Sequence, residues 1–256
     1  MSNNEKSDSE AEYLLAFVDM MGFESALRKK ENTKISTYLE TVDNLSKNDT
    51  KIITFSISDS VVVLKKMENN TKETLKNLIK IIASFQIECA IKGIWTRGAL
   101  TLGNVTYDET KNRVYGIPLA EAYHIEKTYA IYPRVIVDPK VLRNICIKST
   151  EYSTLNLYDH QNNGIITNSV NLSIQDDYPF IDFFGFSVNQ VREDYVLTEA
   201  TKIFNSLKEV YNSDIQFHSK FCWLRKYFIH SLDRCASQKA YLIEKIRKLQ
   251  NEVEAL

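Results

Sequence analysis

Residues 13–23 read YLLAFVDMMGF, an apolar run that an aspartate interrupts and a glycine ends. A mostly apolar run of this length is typical of a buried strand. The stretch therefore predicts a strand over residues 13–20 with a carboxylate, Asp19, close to its end.

A second apolar stretch, residues 52–64, reads IITFSISDSVVVL and predicts two strands joined by a polar turn at 58–60. Its Asp59, like Asp19, interrupts an apolar run, where an unpaired carboxylate costs roughly several kcal/mol on burial. A pair of divalent metal ions would compensate both charges. From these residues alone a second interpretation stays open, in which Asp19 caps the following helix and Asp59 occupies a hairpin turn.

The remaining patterns complete a recognisable order of elements. Helices are predicted over 24–47, 71–89 and 118–129, strands over 94–102 and 134–137, and a hairpin over 104–114. The order β-α-β-β-α-β is ferredoxin-like, and it predicts an α+β fold with a mixed sheet and helices on one face.

The pattern weakens after Asp138. Short strands are predicted over 154–157 and 180–184, and long helices over 188–211 and 218–252. We therefore divide the chain into a disordered N-terminus, a catalytic core and a C-terminal α/β extension ending in long helices, which span 1–12, 13–139 and 140–256.

Composition narrows the function classes. The 256 residues carry a net charge of -1 with both signs interspersed, which argues against a dedicated nucleic-acid binder. No apolar run approaches the roughly 20 residues that cross a bilayer. The polar N-terminus has no secretory pattern, and four scattered cysteines indicate reduced thiols, so we expect a cytoplasmic protein without a membrane span.

Four motifs then follow in register. They are Phe17-x-Asp19-x-x-Gly22-Phe23, Asp59 in a turn between strands, Arg97 six positions before Gly103, and Gly116 opening a helix that carries Ala122-x-x-x-Glu126. Together they resemble the class III nucleotidyl cyclases over residues 13–137. The resemblance implies a homodimer with sites at its interface.

The resemblance also implies roles for individual residues. Asp19 and Asp59, with Met20 as a further ligand, would hold two Mn²⁺ or Mg²⁺ ions, and main-chain amides of residues 21–24 would bind phosphate. Arg97 is the candidate for stabilising charge on the transferred phosphate, although a surface salt bridge is an equal interpretation of it. The substrate-binding candidates are Phe23, Phe55, Arg113, Tyr115, Glu121 and His124.

Several positions depart from the purine-specific pattern. Phe55 stands where adenylyl cyclases place a lysine, and Arg113 where they place an aspartate. Ala120 and His124 replace the asparagine and arginine that act on the transition state. Core packing for Phe55 and a structural role for His124 remain open alternatives.

The departures resemble one subgroup, the pyrimidine cyclases of bacterial Pycsar antiphage defence. The same subgroup resemblance extends to residues 115–123, 132–139 and 220–227. It implies a lyase that converts UTP or CTP to cyclic UMP or cyclic CMP, and a separately encoded effector that the product activates.

Two other functions fit the same residues. One is a purine cyclase or another two-metal phosphotransferase with an unusual base pocket. The other is a degenerate cyclase fold that binds a nucleotide and signals through its C-terminal helices. The missing asparagine and arginine favour the second, and the two retained aspartates oppose it.

Overall fold

The computed structural model describes residues 11–48, 51–145, 165–166, 178–184, 193–211, 217–238 and 243–255. The strands are β1 (Glu12–Met20), β2 (Ile52–Ile57), β3 (Ser60–Lys66), β4 (Thr96–Asn104), β5 (Thr106–Asp108), β6 (Arg113–Tyr115), β7 (Val135–Val137), β8 (Ile165–Ile166) and β9 (Phe180–Ile181). The helices are α1 (Phe23–Arg28), α2 (Asn32–Asn48), α3 (Thr71–Ile91), α4 (Ile117–Tyr129), α5 (Pro139–Ile145), α6 (Glu193–Tyr211), α7 (His218–Gln238) and α8 (Ile243–Glu254).

The sheet has the order β2-β3-β1-β4-β7-β9-β8, with β5 and β6 in a separate hairpin. Strand β1 lies at its centre, antiparallel to both β3 and β4, while β2 pairs antiparallel with β3. This is the ferredoxin-like arrangement, so the predicted α+β fold is confirmed. Strand β7 then adds to β4 in parallel, which makes the sheet mixed.

Helices cover both faces of the sheet, so the expectation of helices on one face is wrong. Alternate residues of β1 enter two separate cores: Leu14 and Ala16 join the larger, and Leu15 and Phe17 the smaller. Helix α3 packs on the larger core through its buried leucines and isoleucines, and α4 contributes Ala122 to the smaller. A strand that is apolar on both faces needs cover on both.

The helix predicted over 24–47 is in fact two helices, α1 and α2. The chain turns between them at residues 29–31, where Lys30 has a left-handed φ of 58°. A lysine carries no sequence signal for this conformation, because it is glycine and asparagine that favour it.

The C-terminal helices also differ from prediction. Instead of one helix over 218–252, α7 and α8 pack against each other, and the Gln250 amide donates to Asp233 at 2.6 Å. The predicted strand at 180–184 forms only at Phe180–Ile181. Residues 154–157, predicted as a strand, and residues 1–10 lie outside the described ranges.

Two further sequence predictions, on membrane-spanning helices and on the cysteines, can be compared with the structure. Among the described residues, no helix has the length and hydropathy that crossing a membrane requires. Cys89 and Cys222 are free thiols, in line with the reduced cysteines expected.

Candidate active site

The pairing of β1 with β3 brings the two predicted metal aspartates to one edge of the sheet. Asp19 lies opposite Ser60, whose hydroxyl donates to the Asp19 carboxylate at 3.0 Å. The Met20 amide donates to the main-chain oxygen of Asp59 at 3.1 Å. The Tyr38 hydroxyl donates to that same oxygen at 2.8 Å. These bonds hold the turn that carries Asp59 beside the end of β1.

On the other side of Asp19, strand β4 supplies Arg97. Its Nε lies 3.6 Å from Asp19 Oδ2, and its Nη2 lies 2.7 Å from Glu126 Oε1. Glu126 is buried and comes from α4, on the same face as Asp19. The sequence placed Glu126 within a motif but assigned it no role, so its contact with Arg97 is a new element of the site.

Negative charge exceeds positive charge in this cluster. The pKa of Asp19 is raised to about 6, chiefly by burial and next by the neighbouring charge of Asp59. The Ser60 hydrogen bond and the Arg97 guanidinium oppose this rise, and Glu126 adds to it. Burial also raises the pKa of Glu126, and the positive charge of Arg97 opposes this rise. Asp19 and Glu126 share the Arg97 guanidinium, and the charge of Asp59 acts on both of them. A divalent cation would relieve this imbalance.

The available ligands fit a hard divalent cation. Mg²⁺ takes one or two carboxylates and completes its shell with water and substrate phosphates. Asp19 and Asp59 supply the carboxylates. The Met20 side chain is buried in the core, so only its main-chain carbonyl can serve as the predicted ligand. Across the described residues no three His, Cys, Asp or Glu side chains group into a metal site.

The turn after β1 has a defined shape. Gly22 adopts a left-handed φ of 78°, which directs the chain into α1. The Met21 amide, one of those expected to bind phosphate, instead donates to the Trp95 carbonyl at 2.8 Å, so the expectation is wrong for Met21. Phe23, a predicted substrate contact, is half-buried and packs against the larger core.

Phe55 is a core residue. Its side chain is 2% exposed and lies 6.1 Å from the Tyr107 ring of the β5–β6 hairpin, measured between ring centroids. The packing alternative therefore describes Phe55, and a base-binding role would require the hairpin to lift away. An apolar residue in a strand does not reveal which face it occupies until the partner strand is known.

The other substrate-binding candidates lie on the surface of the hairpin and α4. Arg113, Tyr115 and His124 are exposed, and Glu121 pairs with Lys140 at 2.5 Å. Within the described part of one chain, none of these four contacts Asp19, Asp59 or Arg97. The described part of one chain therefore does not bring these four residues to the aspartate pair.

Compared by sequence, no protein-family model matches the chain, and no curated protein does. Compared by structure, the chain is similar to nucleotidyl cyclase domains. The catalytic core of a rhodopsin-guanylyl cyclase with converted specificity, in complex with ATPalphaS, is 16% identical with a TM-score of 0.41, over 54% of this chain and 82% of that one.

Two other neighbours are also cyclases. The monomeric guanylyl cyclase domain of the RhoGC fusion protein from the aquatic fungus Blastocladiella emersonii is 18% identical with a TM-score of 0.40, over 53% of this chain and 88% of that one. A bacterial light-regulated adenylyl cyclase is 16% identical with a TM-score of 0.39, over 52% and 79%. At these low scores, the fold assignment rests on the strand order and the site on this chain's own residues.

Proposed function

We propose that this chain is a pyrimidine nucleotide cyclase that converts UTP or CTP into 3′,5′-cyclic UMP or cyclic CMP and pyrophosphate. The observation that carries the proposal is the meeting of Asp19 and Asp59 at one sheet edge, beside Arg97 and with negative charge in excess. A binding module has little need of two adjacent, partly desolvated carboxylates, whereas two-metal phosphoryl chemistry requires them.

The reaction needs no covalent intermediate with the protein. The ribose 3′-oxygen attacks the α-phosphorus, the bond from that phosphorus to the bridging oxygen breaks, and pyrophosphate leaves while the hydroxyl proton passes to solvent. Two Mn²⁺ or Mg²⁺ ions, when bound, lower the pKa of the 3′-hydroxyl and neutralise the triphosphate. Asp19 and Asp59 are the side chains that would hold them.

Arg97 supplies the remaining positive charge. A guanidinium has five N–H donors, and Glu126 engages only the Nη2 group at 2.7 Å. Glu126 therefore orients the plane of Arg97 while leaving other donors for an oxygen of the transferred phosphate. Preorganised donors of this kind stabilise charge that develops in the transition state.

A homodimer would complete the site. Exposed apolar side chains lie on the hairpin and α4, where Ile117 is 75% exposed, and at the turn beside Asp59, where Ile57 is 46% exposed. A two-fold axis could bring the first patch of one subunit to the second patch of its partner, with two equivalent sites. Arg113, Tyr115, Glu121 and His124 would then contact the partner's nucleotide.

The dimer can be tested directly. The variant Ile117→Lys places a charge in the proposed interface, so we expect a monomer by light scattering and a loss of turnover. Lys111→Ala, an exposed change on the same hairpin, is the control. A dimer that survives Ile117→Lys with full turnover would rule out this interface.

The sequence resemblance supports both a pyrimidine substrate and a role in antiphage defence. The choice of a pyrimidine is also supported by Phe55, which stands where adenylyl cyclases place a lysine. The cyclic product would act as a cytoplasmic second messenger on a separately encoded effector.

The decisive experiment supplies ATP, GTP, CTP and UTP separately, with Mn²⁺ or Mg²⁺, and identifies products by chromatography with mass detection. We expect a cyclic product from UTP or CTP alone, and none from Asp59→Ala. The variant Asp43→Ala, which removes an exposed aspartate of α2, should keep full turnover.

The other outcomes discriminate between the alternatives. A cyclic purine product would retain the cyclase mechanism and overturn the pyrimidine assignment. Nucleotide binding without turnover under every condition would favour the signalling module instead.

A further inference from the structure

Tyr38 is a buried residue of α2 whose hydroxyl reaches the turn that carries Asp59. Its ring packs in the larger core beside Phe85 of α3, with the two ring centroids 6.2 Å apart. The hydroxyl donates to the main-chain oxygen of Asp59 at 2.8 Å. Burial raises the pKa of this hydroxyl, so it keeps its proton and remains a donor at neutral pH. Core packing therefore fixes a hydrogen-bond donor against the turn.

The turn between β2 and β3 has a backbone that its own residues do not favour. Ile57 and Ser60 pair across it, which leaves only Ser58 and Asp59 between the strands. Ser58 has a left-handed φ of 58°, a conformation that costs free energy for a residue with a Cβ atom. Such a backbone persists where the surrounding structure imposes it. The turn therefore depends on bonds from other elements.

Two donors from outside the hairpin meet at one atom of this turn. The main-chain oxygen of Asp59 accepts from the Met20 amide at 3.1 Å as well as from the Tyr38 hydroxyl. A carbonyl oxygen has two lone pairs, so these two bonds use its acceptor capacity. The main-chain oxygen of Asp59 thus holds the turn in place, while the carboxylate of the same residue is the group that would bind a cation.

The turn is held against a repulsion. The charge of Asp59 contributes to the raised pKa of Asp19, because the two carboxylates repel each other when no cation lies between them. A turn that could move away from β1 would relieve this repulsion and separate the two ligands. The Met20 amide belongs to β1 itself, whereas Tyr38 belongs to α2. The Tyr38 bond therefore ties the turn to a second, independent element of the core.

We propose that Tyr38 is a positioning residue of the metal site, which holds the turn so that the Asp59 carboxylate stays beside Asp19 and both can bind a divalent cation. This inference rests on the proposed function. Groups that hydrogen-bond to the residues holding a metal ion, without touching the ion, typically change its affinity about 10- to 100-fold. The inference gives α2, which carries none of the sequence motifs, a part in the active site.

The test measures Mn²⁺ binding to the full chain by electron paramagnetic resonance, which detects the free ion. Asp59→Ala defines which binding belongs to this site. Tyr38→Phe removes the hydroxyl but keeps the ring, so we expect the Mn²⁺ affinity to fall about tenfold. The matched control is Tyr227→Phe, which removes a buried hydroxyl that donates to Asp182 at 2.6 Å, and it should bind Mn²⁺ as the parent does. Circular dichroism melting establishes that each variant is folded.

A second variant tests whether the effect passes through the turn. Glycine adopts a left-handed φ without steric cost, so Ser58→Gly makes the turn less dependent on outside bonds. In the Ser58→Gly background, Tyr38→Phe should therefore change the Mn²⁺ affinity by no more than about threefold. A loss that stays about tenfold in that background would overturn the turn as the route of the effect.

Turnover supplies a further readout that a merely structural role would not move. Tyr38→Phe should need about tenfold more Mn²⁺ for half-maximal rate and recover most of the parent rate when Mn²⁺ is saturating. Unchanged Mn²⁺ affinity in folded Tyr38→Phe would overturn the inference, as would an absence of Asp59-dependent Mn²⁺ binding in the parent.

The proposed function is judged separately, by cyclic product. If no nucleotide is cyclised but Mn²⁺ binding depends on Tyr38, the positioning role stands and the cyclase assignment falls. If a cyclic product forms and Tyr38→Phe changes neither the Mn²⁺ affinity nor the Mn²⁺ requirement of turnover, the cyclase assignment stands and the positioning role falls.

Discussion

Two arginines lie in or next to strands of the same sheet, but their surroundings are opposite in character. Arg97, on β4, is partly exposed and touches two carboxylates, Asp19 and Glu126. Arg134, just before β7, is fully buried among aromatic rings. Its guanidinium carbon lies 5.6, 5.5 and 5.8 Å from the ring centres of Tyr132, Phe180 and Trp223.

The difference indicates two roles: Arg97 is available to bind substrate, whereas Arg134 holds the C-terminal extension on the core. Arg97 lies at an open edge, where an incoming phosphate can compete for its donors. Arg134 contacts Phe180 of β9 and Trp223 of α7, so it joins the core to the extension. A cation enclosed by rings cannot exchange partners without separating the two regions.

The largest expected effect is on assembly. Arg134→Ala should lower the free energy of unfolding by about 3 kcal/mol, because it leaves a cavity and removes three cation–ring contacts. Urea denaturation followed by tryptophan fluorescence measures this, since Trp223 lies in the cluster. Arg134→Lys, which keeps the charge but not the plane, should lose less. A loss below about 0.5 kcal/mol would contradict the assembly role.

Arg97→Ala should instead reduce turnover about 100-fold, equivalent to about 2.7 kcal/mol of transition-state stabilisation. Its stability loss should be smaller than that of Arg134→Ala. That loss should shrink as the pH falls from 8 to 5, because Asp19 and Glu126 then take up protons and no longer need a cation. Parallel melting curves and initial rates measure both effects, and a pH-independent loss would contradict the charge network.

Asp19→Asn should raise stability by about 2 kcal/mol at pH 8 in the absence of metal. The folded pKa of Asp19, about 6, lies above its unfolded value of 3.8. The parent therefore holds this stability fully below about pH 4 and loses it as the pH rises through 6, whereas asparagine keeps it. Melting temperatures from pH 4 to 8 measure the gap. Added Mn²⁺ should narrow it by stabilising the parent.

The smallest effect concerns one ring of the Arg134 cluster. Tyr132 stacks on Trp223 with a centroid separation of 5.4 Å and an interplanar angle of 6°. Tyr132→Leu should cost about 1 kcal/mol of stability. Because Tyr132 lies in the assembly cluster, the turnover should not change when measured well below the melting temperature. A large loss of turnover would show that the two regions are coupled.

The sequence predicted the core strands well, but it predicted helix boundaries and side-chain packing less well. Long apolar runs identified β1 and β3, and the polar turn between β2 and β3 lies where the pattern placed it. The break between α1 and α2 was missed, because nothing in the sequence marks Lys30 for a left-handed backbone. For Phe55 the sequence left base binding and core packing both open, because an apolar strand residue does not reveal its face, and the structure packs it under the hairpin.

By itself the sequence determined the order of the core strands and helices along the chain and the position of Asp19 and Asp59 at strand ends, since hydropathy and turn residues act locally. Only the tertiary structure decided which side chains meet them. Glu126 reaches Arg97 because α4 packs on the second face of the sheet, and Phe217 lies against Gly22 because α7 docks on the core. Contacts between residues so far apart depend on how whole faces pack, which no local pattern encodes.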